Sequence, residues 1–128
     1  LRGRGAPLKS CLVVDDSPVI RVMARRLLEA EGSHVREASD GAQALAACEE
    51  HMPDVILLDW RMPVMNGLEC LGRLRRMPGG VAPRVIFCTV ETDPEMILQA
   101  LEAGANEYLM KPFDSEILAG KLALAGVA

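Results

Sequence analysis

The sequence predicts an α/β fold with a doubly wound, five-stranded parallel sheet and helices on both faces, and three observations support this. Short apolar segments rich in β-branched residues recur five times along the 128 residues. The segments between them carry apolar residues with helical spacing. Strand and helix therefore alternate, which requires right-handed crossovers between parallel strands. The length suits one domain of this class, and half of the residues are apolar.

The five strands are predicted, in chain order, at 11–14, 35–38, 55–58, 85–88 and 108–110. The first and third are continuous apolar runs, which are typical of central strands covered on both faces. Apolar stripes predict helices with these members: Ile20, Met23, Ala24 and Leu27; Leu68, Leu71 and Leu74; Ile97, Ala100, Leu101 and Gly104; Leu118 and Leu122. Ser17-Pro18 and Thr92-Asp93-Pro94 are typical helix starts. Gly32 and Gly104 are typical helix ends.

The charge distribution argues against a nucleic-acid-binding protein. Fourteen basic and eighteen acidic side chains give a net charge of −4. Three of the basic residues, Arg2, Arg4 and Lys9, lie within the first nine, so the remainder carries eleven basic against eighteen acidic residues, or −7. Because no basic surface remains to follow a phosphate backbone, direct nucleic-acid binding is not expected. Residues 1–8 are predicted to be a flexible tail or a cloning remnant, and 9–128 a single domain.

The four cysteines indicate buried, reduced thiols. Cys11, Cys48, Cys70 and Cys88 form no C-x-x-C pair, and the chain has only two histidines, so a zinc site is not expected. Reduced buried thiols are typical of a cytoplasmic protein. No apolar run approaches the ~18 residues of a membrane span, and the N-terminus has no signal-peptide core. We therefore expect a cytoplasmic protein without membrane insertion.

Polar residues follow four of the predicted strands. Asp15 and Asp16 end the first strand, Asp59 the third and Thr89 the fourth, and Lys111 follows the fifth. In an open parallel sheet, ligands bind beyond the carboxyl ends of the strands. Three carboxylates that meet there repel one another unless a cation compensates. Oxygen ligands of this kind suit Mg²⁺, so the strand ends predict a magnesium site.

Each of these residues also has a simpler interpretation. Asp15 and Asp16 are placed to cap the first helix, Lys111 to be a solvated surface residue and Thr89 to be a turn residue. Together, however, they supply the parts that an aspartyl phosphate needs. These parts are a nucleophilic carboxylate, a cation that neutralises phosphoryl oxygens and a hydroxyl donor to a further oxygen.

The segments 12–17, 54–67 and 104–113, together with Thr89, resemble a CheY-like response-regulator receiver domain of two-component signalling. The resemblance runs in order from about residue 9 to about residue 124. Each motif alone is common, whereas the ordered set is specific. The resemblance implies a flavodoxin-like (βα)5 fold with strand order 2-1-3-4-5.

The resemblance also implies roles for the residues of the site. Asp59 matches the aspartate that accepts a phosphoryl group from a histidine kinase or a histidine phosphotransfer protein. Asp16 and Asp59 match side-chain ligands of Mg²⁺, Asp15 a residue that holds the metal largely through water, and Arg61 a ligand through its backbone carbonyl. Lys111 matches the lysine that pairs with the phosphoryl group.

Further matches concern the switch and the rim of the site. Pro112 matches the residue after a cis peptide bond, a geometry found at only about 5% of X-Pro bonds. Thr89 and Tyr108 match the hydroxyl and the aromatic ring of the activation switch. Arg61, Val90 and Glu91 occupy rim positions that vary in the family, and we expect them to set the lifetime of the phosphoryl group. Trp60, the only tryptophan, is expected beside the metal.

The resemblance implies a signalling protein, not a conventional enzyme: phosphorylation switches its binding to a downstream protein, and a phosphatase is a possible further partner. Two alternatives within the family are the receiver module of a longer regulator or hybrid kinase, and a phosphate sink. A flavin-binding flavodoxin is a distant alternative, because Asp15 and Asp16 would repel the flavin phosphate. A haloacid-dehalogenase-type phosphatase needs a second aspartate where this chain has Arg61.

Overall fold

The computed structural model describes residues 9–90 and 93–127. Within them, five parallel strands form one sheet in the order β2-β1-β3-β4-β5. The strands are β1 (Ser10–Val14), β2 (His34–Ala38), β3 (Val55–Asp59), β4 (Arg84–Thr89) and β5 (Glu107–Met110). The predicted fold class and strand order are confirmed. The prediction of a tail at 1–8 and the rim position Glu91 lie outside the described residues.

Five helices alternate with these strands in the same described ranges. They are α1 (Pro18–Ala30), α2 (Gly41–Glu50), α3 (Gly67–Arg76), α4 (Pro94–Glu102) and α5 (Ser115–Leu124). Each begins after a residue whose side chain accepts a hydrogen bond from a backbone N–H of the first turn: Ser17, Asp40, Asn66, Asp93 and Asp114. Such caps satisfy amide groups that have no partner inside the helix, which explains why these helices start where they do.

The helices cover the two faces of the sheet in two apolar layers. One layer joins α2, α3 and Ala100 of α4 to residues such as Leu12, Ile56 and Phe87 of the central strands. The other layer joins Ala24 and Leu28 of α1 and Leu118 and Leu122 of α5 to the opposite face. Successive residues of a strand point to opposite faces, so β1, β3 and β4 are buried on both sides. This is why their sequences are continuous apolar runs.

Two predicted helix stripes are displaced. In α1, Leu28 is fully buried, whereas the predicted Leu27 is only partly buried. The reason is that α1 contacts the sheet along the ridge of Ala24 and Leu28, which are four residues apart. In α4, Ala100 is buried but the predicted Leu101 is 38% exposed. In that helix a small residue faces the core.

The prediction of buried, reduced thiols is confirmed, because all four cysteines are free and buried. Burial raises the pKa of Cys70 and of Cys88 to about 12, so both thiols stay protonated at neutral pH. No helix within the described ranges is long and apolar enough to cross a membrane.

Candidate functional site

The candidate site lies at the carboxyl edge of the sheet. Asp15 directly follows β1, Asp59 is the last residue of β3 and Thr89 the last of β4, and Lys111 directly follows β5. β1, β3, β4 and β5 are consecutive neighbours in the sheet. Their parallel direction therefore brings residues that are far apart in the sequence to one edge, as expected for open α/β sheets.

Three carboxylates converge at this edge. One carboxylate oxygen from each of Asp15, Asp16 and Asp59 lies within 4.8 Å of the others. Asp15 and Asp59 are buried, whereas Asp16 is exposed. The Lys111 ammonium donates to Asp15 Oδ2 at 2.6 Å and to Asp59 Oδ1 at 2.9 Å. It therefore bridges the two buried carboxylates and leaves the exposed one outside the bridge.

Burial and charge act in opposite directions on these groups. Burial raises the pKa of the Asp59 carboxyl; the Lys111 hydrogen bond lowers this pKa in part and the charge of Asp15 raises it further, so the net direction is upward. For Lys111, burial lowers the pKa of the ammonium, but the hydrogen bonds to Asp15 and Asp59 and the charges of these two residues together raise it overall. Lys111 is therefore charged at neutral pH.

The donor chemistry of the cluster fits a hard divalent cation. Among the contacts described, the three carboxylates face one ammonium, that of Lys111. Oxygen donors of this kind are the ligands that Mg²⁺ prefers. Both oxygens of Asp15 already accept hydrogen bonds, one from Lys111 and one from the Ser17 N–H at 2.9 Å. Asp16 and Asp59 are therefore the residues best placed to hold the ion directly.

A cleft of about 430 Å³ opens beside the cluster. It is lined by Asp16, Trp60, Arg61, Met62, Pro63 and Asn66. Trp60 is buried and packs against Phe87, with ring centroids 4.7 Å apart. Trp60 and Arg61 are thus both placed beside Asp16, where the sequence predicts the metal. The indole is a built-in fluorescent reporter of this cleft.

The start of α3, directly after the turn from β3, requires a glycine, Gly67, for which the sequence analysis predicted no role. The Gly67 N–H donates to the Trp60 carbonyl at 2.8 Å. A Cβ atom at Gly67 would lie 2.3 Å from the Asp59 carbonyl oxygen and 2.9 Å from Phe87 Cζ. The Asn66-Gly67 pair before an apolar stripe is the sequence pattern that indicates a turn at this point. The close approach of α3 to β3 positions the peptide that carries Asp59.

Arg21 is a second residue that the sequence analysis missed. Its guanidinium donates to the Asp15 carbonyl oxygen at 2.6 Å from α1. Nothing in the spacing of apolar or acidic residues predicts this contact, because it depends on how α1 packs against the end of β1.

The structure also describes the remaining predicted residues, apart from Glu91. Thr89 is buried, and Val90, the next residue, is 62% exposed. Tyr108 is half-buried in β5, with the Lys121 ammonium 4.1 Å from its ring centroid. The Lys111–Pro112 peptide bond, for which the resemblance implies a cis geometry, is cis. Arg61 is exposed at the cleft, while any contact of Arg61 with Glu91 lies outside the described residues.

Comparison with known proteins gives consistent matches over most of the chain. The family model of the response regulator receiver domain matches residues 11–123. The chemotaxis protein CheY of Bacillus subtilis is 34% identical over 106 residues, which are 82% of this chain and 87% of that protein. The solved structure of the chemotaxis response regulator CheY4 of Vibrio cholerae superposes with a TM-score of 0.88 at 35% identity, and covers 93% of this chain and 99% of that one.

Other relatives are longer. The transcriptional regulatory protein KdpE of Mycobacterium tuberculosis is 42% identical over 114 residues, which are 89% of this chain but 49% of that protein. The DNA-binding response regulator MtrA of Mycolicibacterium smegmatis is 39% identical, with 47% of its length covered. The chain thus spans about half the length of these curated relatives. On the family match and the CheY similarity together, the chain belongs to the response regulator receiver domain family.

Proposed function

We propose that this chain accepts a phosphoryl group on Asp59 from a histidine kinase or a histidine phosphotransfer protein, and that phosphorylation changes its affinity for a downstream protein. The observation that carries the proposal is the bridge from Lys111 to Asp15 and Asp59, with Asp16 beside it. This arrangement combines a buried carboxylate, a fixed cation and an acidic cluster that fits Mg²⁺. The proposed domain is 9–128, and the proposed compartment is the cytoplasm, which agrees with four reduced thiols.

The proposed reaction is an in-line transfer. A carboxylate oxygen of Asp59 attacks phosphorus, the bond from phosphorus to the donor histidine nitrogen breaks, and an acyl phosphate forms. Because Lys111 holds Oδ1 of Asp59, we assign Oδ2 to the attack. The Lys111 ammonium then neutralises a phosphoryl oxygen, and the Thr89 hydroxyl donates to another. Asp16, Asp59 and the Arg61 carbonyl would hold Mg²⁺, which would neutralise developing charge on the phosphoryl oxygens.

The test of this assignment compares two aspartates at opposite ends of β3. Asp59→Asn should abolish Mg²⁺-dependent phosphorylation by a small-molecule phosphodonor, measured by intact-protein mass spectrometry. Asp54→Asn, just before the start of β3, is the control and should be phosphorylated like the wild type. Undiminished phosphorylation of the Asp59 variant would show that the acceptor lies elsewhere.

For the output, we propose that Thr89 moves toward the phosphoryl group and that Tyr108 turns inward in response. The two residues lie on neighbouring strands, with Thr89 paired to Met110 and Tyr108 to Phe87. Tyr108 is the only tyrosine, so fluorotyrosine incorporation gives a single ¹⁹F signal. Addition of beryllofluoride, a phosphoryl mimic, should shift this signal. A signal that stays unchanged while Asp59 is occupied would contradict the coupling.

A second candidate is that the chain is the receiver module of a longer transcriptional regulator. It is favoured by the coverage of about half of KdpE and MtrA, whose names describe transcriptional and DNA-binding regulators. The mass of the native gene product distinguishes the two candidates. A mass of about 14 kDa, close to the 13.8 kDa of this chain, supports a receiver that acts alone. A mass near twice that value supports an attached output domain. A phosphate sink would show phosphorylation without a change in affinity for any downstream protein.

A further inference from the structure

Arg21 connects β2, the outermost strand on one side of the sheet, to the candidate site. It lies in the first turn of α1, and its side chain is only 18% exposed. Its Nη1 donates to the Asp15 carbonyl oxygen at 2.6 Å, and its Nε donates to Oε1 of Glu37, on β2, at 3.1 Å. The guanidinium presents its donors in a rigid planar fork, so holding one partner orients it toward the other.

Both carboxylate oxygens of Glu37 accept hydrogen bonds from arginines of α1. Its second oxygen accepts from Arg25 Nε at 2.6 Å, and Arg25 also pairs with Glu29 on the same helix. Two arginines of α1 therefore share one carboxylate of β2. Of the two, Arg21 has a hydrogen bond to Asp15, and Arg25 has none among the contacts described.

The contacts of Asp15 show what this connection does. The Asp15 N–H donates to the Ala38 carbonyl at 3.1 Å, and its own carbonyl accepts from Arg21. Its carboxylate is then held by Lys111 and by the Ser17 N–H. The backbone of Asp15 is thus held from β2 and from α1, in a clamp directly beside the carboxylate that Lys111 and the Ser17 N–H hold.

We propose that Arg21 is a positioning residue that orients Asp15, and through it Lys111 and the acidic cluster, for Mg²⁺ binding and phosphoryl transfer. The proposal rests on the proposed function of the site. Arg21 makes no hydrogen bond to Asp16, Asp59 or Lys111 among the contacts described, so it acts through Asp15. Outer-sphere partners that orient ligands in this way contribute measurably to metal affinity.

The charge of Arg21 and its proposed positioning role predict opposite changes in Mg²⁺ affinity when its side chain is replaced. Arg21 is a cation near three carboxylates, so by charge alone its loss should strengthen Mg²⁺ binding. If Arg21 instead positions Asp15, its loss should weaken Mg²⁺ binding even though a positive charge has been removed. The sign of the change therefore separates the two effects.

The experiment compares Arg21→Gln with Arg25→Gln, which removes the same charge from the same helix and the same Glu37 partner. Mg²⁺ dissociation constants are measured by Trp60 fluorescence, because the indole lines the cleft beside Asp16. We expect Arg21→Gln to weaken Mg²⁺ binding by about tenfold, the lower end of the effect of outer-sphere partners. Arg25→Gln should stay within about twofold of the wild type, since it leaves the Asp15 carbonyl contact in place. Equal constants for the two variants, or tighter binding by Arg21→Gln, would overturn the proposal.

A metal-free measurement tests the clamp separately from the proposed function. The Ser17 amide donates to the Asp15 carboxylate, so its ¹H–¹⁵N resonance reports the orientation of that carboxylate. In EDTA, Arg21→Gln should shift this resonance and Arg25→Gln should not. An unshifted Ser17 resonance in Arg21→Gln refutes the clamp. A wild type that neither binds Mg²⁺ nor accepts phosphate refutes the proposed function, while the Ser17 resonance still decides on Arg21.

A second variant keeps the proposal testable if Arg21→Gln does not fold. Thermal melting establishes that Arg21→Gln is folded, and if it is not, Glu37→Gln takes its place. That change removes the charged anchor of the Arg21 fork and keeps the Arg21 cation. We expect a shift of the Ser17 resonance in the same direction and weaker Mg²⁺ binding.

Arg21→Lys retains the charge without the fork, and it should fail to restore wild-type Mg²⁺ affinity. Full restoration by lysine would show that charge alone is needed.

Discussion

At the scale of single residues, Asp59 combines burial with two acidic neighbours. Burial raises the pKa of its carboxyl from 3.8, and the charge of Asp15 adds to this, while Lys111 offsets only a part. The folded state therefore binds this proton more tightly than the unfolded state does. Ionisation of Asp59 therefore makes the metal-free folded state less stable. A cation bound beside the ionised carboxylate offsets this loss of stability.

This gives a prediction for the pH dependence of stability. Since the unfolded state releases the Asp59 proton at lower pH, the unfolding free energy attributable to Asp59 falls as pH rises from about 3.8 through its raised folded-state pKa. Lys111 keeps its charge over this window because its pKa is raised from 10.5. The stability of Asp59→Asn relative to the wild type should therefore increase with pH and then level off. Urea denaturation in EDTA from about pH 4 to about pH 7 measures it. A difference that shrinks with pH would contradict the assignment.

A second prediction at this scale concerns Val90. This side chain directly follows Thr89, the last residue of β4, and is 62% exposed. We expect Val90→Ala to open the approach of water to the acyl phosphate and to speed its hydrolysis; a tenfold change corresponds to about 1.4 kcal/mol in the barrier. Val81→Ala, which shortens another exposed valine in the loop before β4, is the control. Phosphoryl decay that is equal in both variants would exclude a gating role of Val90.

At the scale of elements, the approach of α3 to β3 distinguishes two glycines within helices. A Cβ at Gly67 meets the Asp59 carbonyl oxygen at 2.3 Å, whereas a Cβ at Gly120 of α5 meets nothing within 4 Å. Gly120→Ala should therefore stabilise the protein by about 0.5–1 kcal/mol, because alanine loses less conformational entropy in a helix. Gly67→Ala should destabilise it by about 1–3 kcal/mol, because Asp59 and Phe87 must shift. Urea denaturation measures both, and a stabilised Gly67 variant would show that α3 is not so closely packed.

At the scale of the whole molecule, the acidic edge should link Mg²⁺ binding to global stability. A ligand that binds only the folded state at about 100 times its dissociation constant adds about 2.7 kcal/mol to the unfolding free energy. The wild type should therefore melt at a higher temperature in Mg²⁺ than in EDTA. A wild-type melting temperature that is the same in Mg²⁺ and in EDTA would exclude a metal site at this edge.

The two neighbouring acids should differ in this assay. Asp16→Asn should melt higher than the wild type in EDTA, since it relieves repulsion while the Lys111 bridge stays intact, and it should lose most of the Mg²⁺ effect. Asp15→Asn should melt lower in EDTA, because Lys111 loses a charged partner at 2.6 Å. The same direction of change for both variants would contradict the division of roles between Asp15 and Asp16.

The alternation of strands and helices was predictable from the sequence, because both follow from local periodicity. Every observed strand begins and ends within one residue of its prediction. The sequence also placed Asp15, Asp59, Thr89 and Lys111 at one edge, since residues that end parallel strands share that edge in any such sheet. The strand order came from the resemblance to receiver domains, whose ordered motifs carry more information than any local pattern in the chain.

Which of these groups contact one another depends on the packing of the folded chain. Lys111 reaches Asp15 across 96 positions of sequence and Asp59 across 52, and it bridges these two carboxylates without Asp16. The Arg21 contact with the Asp15 carbonyl, the burial of Leu28 ahead of Leu27, and the need for Gly67 all depend on how helices pack against the sheet. Local sequence patterns predict which residues are buried and which are charged. The rotation and distance of each packed helix determine which atoms meet, and these arise from the fit of the whole core.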